Sequence, residues 1–414
     1  MDRIVITSYA RTPLSSQKGV EFRQMSIPDL AVAPVRAAIS RSNLGRSDVD
    51  GLVMGQVSSG TGEATNLGRH VALKAELDFE TALAYTVNRV CGSGFQAVAC
   101  SMMEIWAGEG SVYIAAGTEM NSHRTYSLPL SFAWTGIPRG GIKLGGGGNY
   151  EGDPCNPNEI YGVMYGPGFT VEKAARIYGI TREESDFFAY ESQMKMKKAQ
   201  ETNRFENEII PITVPQNDAK GKTQYVTYDR DLHPKPNTTL EVLSNLRTAF
   251  ESDGVITAGS ASGSVDGSAA IVIMTESEAK ARGLAPIAYL NAFAFGGVDP
   301  TLMGTGPVPA LQKLLKKTNM SFDDIDVIEI NEAFAAQVVS VMKILGYDFD
   351  SAFYKMLNPN GGAVAIGHPE GCTGVRLTMT VAEELRRTGK RFGIASACIG
   401  GGQGAAILIE NAMI

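Results

Sequence analysis

The chain has 414 residues, 44% of them hydrophobic and 20% charged, with a net charge of −7 at pH 7. That length exceeds one ordinary domain, and the composition is that of a folded chain. The acidic balance speaks against nucleic acid or an anionic membrane surface as a partner, so an anionic ligand would need a local basic patch.

The first residues, MDRIVITSYARTP, read directly as a strand. They carry neither a secretory leader pattern nor the Arg- and Ser-rich character of a transit segment. SIPDLAVAPVRAAISRSNL follows as a helix, with Ser26 as its cap and Leu30, Ala31, Val35 and Ala38 at helical spacing. DGLVMGQV and SVYIAAGTE read as buried strands. Between them, TVNRVCGSGFQAVACSMMEI sets Cys91 before Gly92, Ser93 and Gly94 at the start of an apolar helix. A thiol at a helix start meets unpaired N–H groups and the positive end of the helix dipole, which favour thiolate; a buried, inert cysteine is the plainer explanation.

Residues 121–263 change character, with Pro and Gly clusters and one long polar helix, TREESDFFAYESQMKMKKAQ, in which Thr181 and Glu184 form a capping box. This predicts an inserted, loop-rich subdomain. DGSAAIVIMTE returns to buried-strand character. DVIEINEAFAAQVVSVMKIL is a strand leading into a helix, and GCTGVRLTMTVAEELRRTGKRFGIASAC a helix leading into a strand. The last segment repeats the plan of the one containing Cys91: 23 residues separate Gly94 from Gly117, and 23 separate Gly374 from Ala397. The pattern predicts an α/β fold of two similar halves with largely parallel strands. The expected division is 1–120 with 264–286, an inserted 121–263, and 287–414.

Five cysteines occur without a CxxC spacing, and four histidines without HxH or HxxxH. Free thiols, a reducing and cytoplasmic setting, and no metal site are the expectations. No apolar run approaches the ~18 residues that span a bilayer, and the final ENAMI is not an organelle address.

Three further stretches carry chemistry. PNGGAVAIGHPEGCTG holds His368 in a glycine-dense loop. SACIGGGQGAAILIE puts Cys398 at the end of a buried strand. EINEAFAAQ puts Asn331 at a strand-to-helix junction, where a plain N-cap would suffice to explain it. All lie where strands give way to loops, the usual ligand edge of an α/β sheet. Two cysteines, an imidazole and an amide form a coherent set for acyl transfer: a thiolate nucleophile, a base that helps form it, a second thiol that moves a proton, and donors for an oxyanion.

VNRVCGSGFQA, NEAFAAQ, GGAVAIGHPEGCTG and CIGGGQG, with TAGSASGSVDGSAA and LMGTGPVPA as secondary matches, resemble the motifs of the thiolases in the right order. The resemblance runs from RTP at 11–13 to the C-terminal GAAILIE. It implies a five-layered αβαβα fold with two similar halves and an inserted loop domain that binds CoA. The implied activity is Claisen condensation of acetyl-CoA, or thiolytic cleavage of 3-ketoacyl-CoA, through an acyl-cysteine. In that resemblance Cys91 is the acylated nucleophile, Cys398 the acid/base, and His368 the activating imidazole and oxyanion donor. Asn331 fixes a water in the first oxyanion hole, and the N–H groups of Cys91 and Gly400 form the second. Ser262 touches the pantetheine arm and Lys235 a CoA phosphate; a solvated loop lysine explains Lys235 equally well. CoA and acyl-CoA are substrates, no cofactor is tightly bound, and a homodimer or homotetramer is implied, with a partner protein left open.

Two departures stand out. Family members read GHPLGASG, where this chain has Glu370, Cys372 and Thr373 in place of leucine, alanine and serine. Glu370 brings a charge near His368 and is expected to raise its pKa or to meet a partner subunit. Short-chain members often carry His-Met where Gly166 and Pro167 stand. Together with residues 127–160, which include Trp134 and a GGGG run, these positions leave acyl length open. The competing functions are a decarboxylating ketoacyl synthase-like enzyme, which would pair one cysteine with two histidines or with histidine and asparagine, and a non-catalytic thiolase-like binding protein.

Overall fold

A computed structural model describes residues 2–17, 19–58, 65–124, 166–217 and 221–414. Residues 127–160, with Trp134, Cys155 and the glycine run, lie outside the described residues.

Eleven strands are described: β1 Ile4–Arg11, β2 Gly51–Gly55, β3 Leu83–Val87, β4 Val112–Met120, β5 Ile212–Asn217, β6 Thr223–Tyr228, β7 Asp266–Thr275, β8 Ala288–Gly297, β9 Val327–Ile330, β10 Phe392–Ile399 and β11 Gln403–Asn411. The described helices of eight residues or more are α1 Ile27–Arg41, α2 Leu67–Lys74, α3 Ser93–Ala107, α4 Pro167–Tyr178, α5 Arg182–Glu201, α6 Pro307–Thr318, α7 Ala335–Ile344 and α8 Glu370–Thr388. Local signals account for their ends. Ser26 caps α1 by accepting from the Asp29 N–H, and Thr181 and Glu184 close a reciprocal capping box on α5. Gly108 and Gly389 stop α3 and α8 in the left-handed conformation.

Nine strands align in the order β3-β2-β4-β7-β1-β8-β11-β10-β9, with β5 and β6 as a separate hairpin. The nine divide at β1 and β8, which share only the pairs Val5↔Tyr289 and Ile6↔Ala288. Helices α1 and α2 cover the outer face of the first group, burying Leu30, Val35 and Val71 on Leu52, Met54, Ile114 and Val272. Helices α6 and α7 cover the second, with Leu311, Leu314, Val338 and Val341 on Ile328, Ile330 and Leu408. Between the groups lie α3 and α8, where Phe95, Val98 and Met102 meet Val375, Met379 and Leu385 among side chains from both. The layers are therefore αβαβα.

The strands are less parallel than their alternation with helices predicts. β2 runs parallel to β3 and β4, and β9 to β10. The pairs β4–β7, β1–β7, β8–β11 and β10–β11 are antiparallel. β10 and β11 are joined by a three-glycine turn, Gly400 to Gly402, in which Gly401 (φ +83°) and Gly402 (φ +81°) take the left-handed conformation. A link that short makes only a hairpin.

The internal repeat has a physical counterpart. Gly94 and Gly374, equivalent in the two segments, face each other where α3 crosses α8. A methyl group on Gly94 would lie 2.8 Å from the Gly374 nitrogen, and one on Gly374 would lie 2.1 Å from the Phe95 nitrogen. The central layer closes only because both positions lack a side chain. This contact brings the starts of both helices, and the loops before them, to one place.

Candidate active site

Cys91 sits in a tight turn between β3 and α3, one residue before the helix N-cap Gly92. Val90 takes φ +46°, an uncommon conformation for a β-branched side chain. Asn88 Oδ1 accepts from the Val90 N–H at 2.9 Å, while Ser93 Oγ accepts from the Arg89 N–H at 2.9 Å and donates to the Val90 carbonyl at 2.7 Å. A side chain on Gly92 would meet Ile399 Cδ1 at 2.3 Å, so this turn abuts the end of β10. Cys398 is buried there, close enough for the Cys91 sulfur to act on its ionisation. The N–H groups of Gly400 and of Cys91 itself are directed at the Cys91 sulfur.

His368 lies in the loop before α8, its N–H donating to the Gly263 carbonyl at 2.9 Å. The ring is buried. Nδ1 is 2.7 Å from Thr373 Oγ1, and Nε2 is 3.4 Å from Asn331 Nδ2. Thr373 Oγ1 also reaches the Pro369 carbonyl at 3.1 Å. With its proton on that carbonyl, Nδ1 is the ring's donor and Nε2 is able to take a proton. Thr373 holds the ring in position.

Asn331 follows β9 directly and is not an N-cap: α7 begins at Ala335 behind Phe334. Its N–H donates to the Ser396 carbonyl at 2.9 Å, and its Oδ1 is buried without a partner. Ser262 donates its N–H to the Ala333 carbonyl at 3.0 Å, which places it between the Asn331 loop and the carbonyl that holds His368. Lys235 is exposed on a loop, with its N–H on Gln193 Oε1 at 2.8 Å; two residues earlier, the His233 ring packs on Gly263. A cavity of about 440 Å³ around Arg204 and Asp231 holds none of these residues.

The electrostatics correct one expectation. Burial pushes the Cys91 thiol up to about 12, helped by the Glu370 carboxylate and opposed by the Gly400 and Cys91 N–H groups. The sulfur stands outside the first helical turn in dry surroundings, so the helix start does not make it a thiolate. Burial likewise lowers His368 to about 4, although Glu370 pulls it upward. Glu370 thus acts in the expected direction without deciding the outcome. Burial thus keeps both the Cys91 thiol and the His368 imidazole neutral in the free protein. Alkylation of Cys91 by iodoacetamide should rise about tenfold per pH unit from roughly pH 7 to 10. A plateau near neutrality, measured by peptide mapping, would instead show a preformed thiolate–imidazolium pair.

Comparison with known proteins finds relatives along nearly the whole chain. The family model for the thiolase N-terminal domain matches residues 4–277, and that for the thiolase C-terminal domain matches 284–411. The chain belongs to the thiolase family. It is 42% identical to acetyl-CoA acetyltransferase of Escherichia coli, over 99% of this chain and 100% of that one. It is 40% identical to the enzyme of the same name from Allochromatium vinosum, over 99% of each. Among solved structures, human mitochondrial 3-ketoacyl-CoA thiolase in complex with CoA superposes with a TM-score of 0.85 at 35% identity, covering 99% of this chain and 98% of that one.

Three residues that hold this thiolase site together were not singled out from sequence as supports. Thr373 was noted only as a departure. Glu332 ties the Asn331 loop to the His368 loop: its carboxylate accepts from Ser192 Oγ at 2.7 Å, Asn358 Nδ2 at 2.7 Å and the Val364 N–H at 3.0 Å. Glu119 accepts from the N–H groups of Val57, Ser58 and Gly371 at 3.1, 2.9 and 3.0 Å, fixing the start of α8 against β2 and β4. Burial, then Glu370, raises Glu119 to about 7. Both carboxylates stand in otherwise apolar runs, and that is the signal that marks them: a buried charge must be tied to something.

Proposed function

We infer that this thiolase transfers acyl groups between CoA thioesters, by Claisen condensation of acetyl-CoA or by the reverse cleavage of 3-ketoacyl-CoA, with Cys91 carrying the acyl group. What supports the reading is a chain of links among separate segments: the Cys91 sulfur acts on Cys398 at the end of β10, and Asn331, bonded to Ser396 of that strand, reaches His368 Nε2. Cys91 attacks the thioester carbonyl while its proton passes to His368 Nε2. The Gly400 and Cys91 N–H groups receive the oxygen that becomes negative, and the imidazolium, with Asn331 beside it, is left to face the thioester oxygen of the second acetyl-CoA. The leaving CoA thiolate takes the proton of Cys398, leaving a thiolate there.

That thiolate is the base for the second half. Burial pushes the Cys398 thiol far above its ordinary value, with the Cys91 sulfur adding to the shift. A thiol that ionises reluctantly yields a strongly basic thiolate, which suits the very weakly acidic methyl group of acetyl-CoA. The carbanion attacks the acyl-cysteine, the Gly400 and Cys91 N–H groups receive the new oxyanion, and Cys91 leaves and recovers its proton from His368. One such donor contributes about 2.7–4 kcal/mol. Ser262 and Lys235 are assigned to CoA, as pantetheine and phosphate contacts. The division into 1–120 with 264–286, 121–263 and 287–414 is part of the same proposal, as are a homodimer or homotetramer and a cytoplasmic location. No helix among the described residues is long and apolar enough to cross a membrane.

Incubation with acetoacetyl-CoA and longer 3-ketoacyl-CoAs plus CoA should yield acetyl-CoA, followed by chromatography. CoA binding without turnover at any length would make this a binding protein. Turnover only with a malonyl thioester would make it a decarboxylating synthase.

A further inference from the structure

Glu370 opens α8 two residues after His368, and acyl transfer as derived above requires no carboxylate there. Its Oε1 accepts from Arg124 Nη2 at 2.6 Å and its Oε2 from Asn121 Nδ2 at 3.2 Å. Arg124 reaches on to Ser58, with Nε donating to Oγ at 3.0 Å. One ion pair therefore joins the residues after β2, the turn after β4 and the start of α8. It is set rigidly, because Glu119 directly behind it binds the Val57, Ser58 and Gly371 N–H groups. It is not fully dry: the Glu370 side chain is 18% exposed and that of Arg124 45%. Glu370 stands two residues from His368, and a methyl group on Gly94 would lie 3.0 Å from the Gly371 carbonyl, so the start of α8 abuts the start of α3, just after Cys91.

An acyl group that ran from the Cys91 sulfur along this wall would meet charge. Covering the hydrated side of an ion pair with methylenes removes water and returns no hydrogen bond. Leucine, which thiolase motifs carry at this place, would favour each added methylene by roughly fourfold instead. We propose that the Arg124–Glu370 pair is a specificity determinant that confines this enzyme to short acyl groups, of the acetyl-to-butyryl class. The inference rests on the thiolase function and adds the substrate class to it.

The test is a thiolysis series on the full-length protein with acetoacetyl-, 3-ketohexanoyl-, 3-ketooctanoyl- and 3-ketodecanoyl-CoA. The native protein should lose kcat/KM steadily beyond 3-ketohexanoyl-CoA. Glu370→Leu should raise the 3-ketooctanoyl to acetoacetyl ratio about 16-fold, roughly fourfold for each of two methylenes that gain apolar cover. Glu370→Met, closer in shape to glutamate, should shift it in the same direction and serves if the leucine variant folds poorly. Glu370→Gln keeps a polar wall and should retain the native order of substrates while moving the pH profile. A native preference for the longer substrates overturns the proposal. So does an equal change at every chain length in the leucine or methionine variant, since Glu370 would then act only on the charge of the reactive pair. Absence of thiolysis at all lengths in the native protein is a separate result: it removes the thiolase function, and this inference with it.

Discussion

Cys91→Ala should leave no acyl group on the protein after incubation with acetyl-CoA and should lower thiolysis by about 10⁴-fold or more, as removal of an acylated nucleophile does elsewhere. The reason is positional. The neighbouring thiol, Cys398, is fully buried at the end of β10, where its strand partner is Gly404. Cys91 is the less buried residue of the two, its sulfur set in a strained turn where the Gly400 and Cys91 N–H groups favour negative charge. Only that sulfur combines access with a ready oxyanion site. Intact-protein mass spectrometry reads the result. An acetyl adduct persisting on the alanine variant at the native level would move the nucleophile elsewhere. A serine variant sharpens the test, because it keeps the shape of the turn but offers a far weaker nucleophile; it should acylate slowly, if at all, while binding CoA normally.

The residues proposed to carry chemistry stand out in the sequence because chemistry restricts residue type. Cys91, His368 and Cys398 are conspicuous side chains in small-residue surroundings, and few reactions use that set. The repeat was legible for a related reason: close packing of α3 on α8 demands glycine at positions 94 and 374 alike. Strand direction was less legible. A buried strand reads as an apolar run whichever way it points, and β7 reaches its place after the long insertion rather than by a helical crossover. Supports such as Thr373 and Glu332 were harder still. Their partners are remote or depend on which way a ring faces, and neither can be inferred from spacing. The charge state of Cys91 failed for the same reason: a helix start is a local feature, whereas the burial that outweighs it comes from β10 and the loops around it.

Cys398→Ala should separate the two halves of the reaction. Acetyl-CoA should still load Cys91, though more slowly, since His368 takes the nucleophile's proton and water can replace Cys398 as donor to the departing CoA thiolate. Formation of the carbon–carbon bond should fall by about 10²–10⁴-fold, the range for loss of a positioned base. A more direct reading of the base is exchange of the acetyl-CoA methyl hydrogens for deuterium in D₂O, followed by mass spectrometry. The native protein should catalyse it and Cys398→Ala should not. The contrast with His368 makes this specific. His368 is lowered to about 4 by burial and would be too weak a base for a methyl group, whereas Cys398 is pushed in the opposite direction and gains basicity once ionised. Methyl exchange at the native rate in Cys398→Ala would therefore assign proton abstraction to another group. It would also sever the link between the burial of this thiol and its use. Loss of acyl loading together with exchange would show that water cannot replace Cys398 as the donor to the departing CoA thiolate. The two steps would then be coupled through one proton, which leaves Cys398 with the CoA and returns from the methyl group.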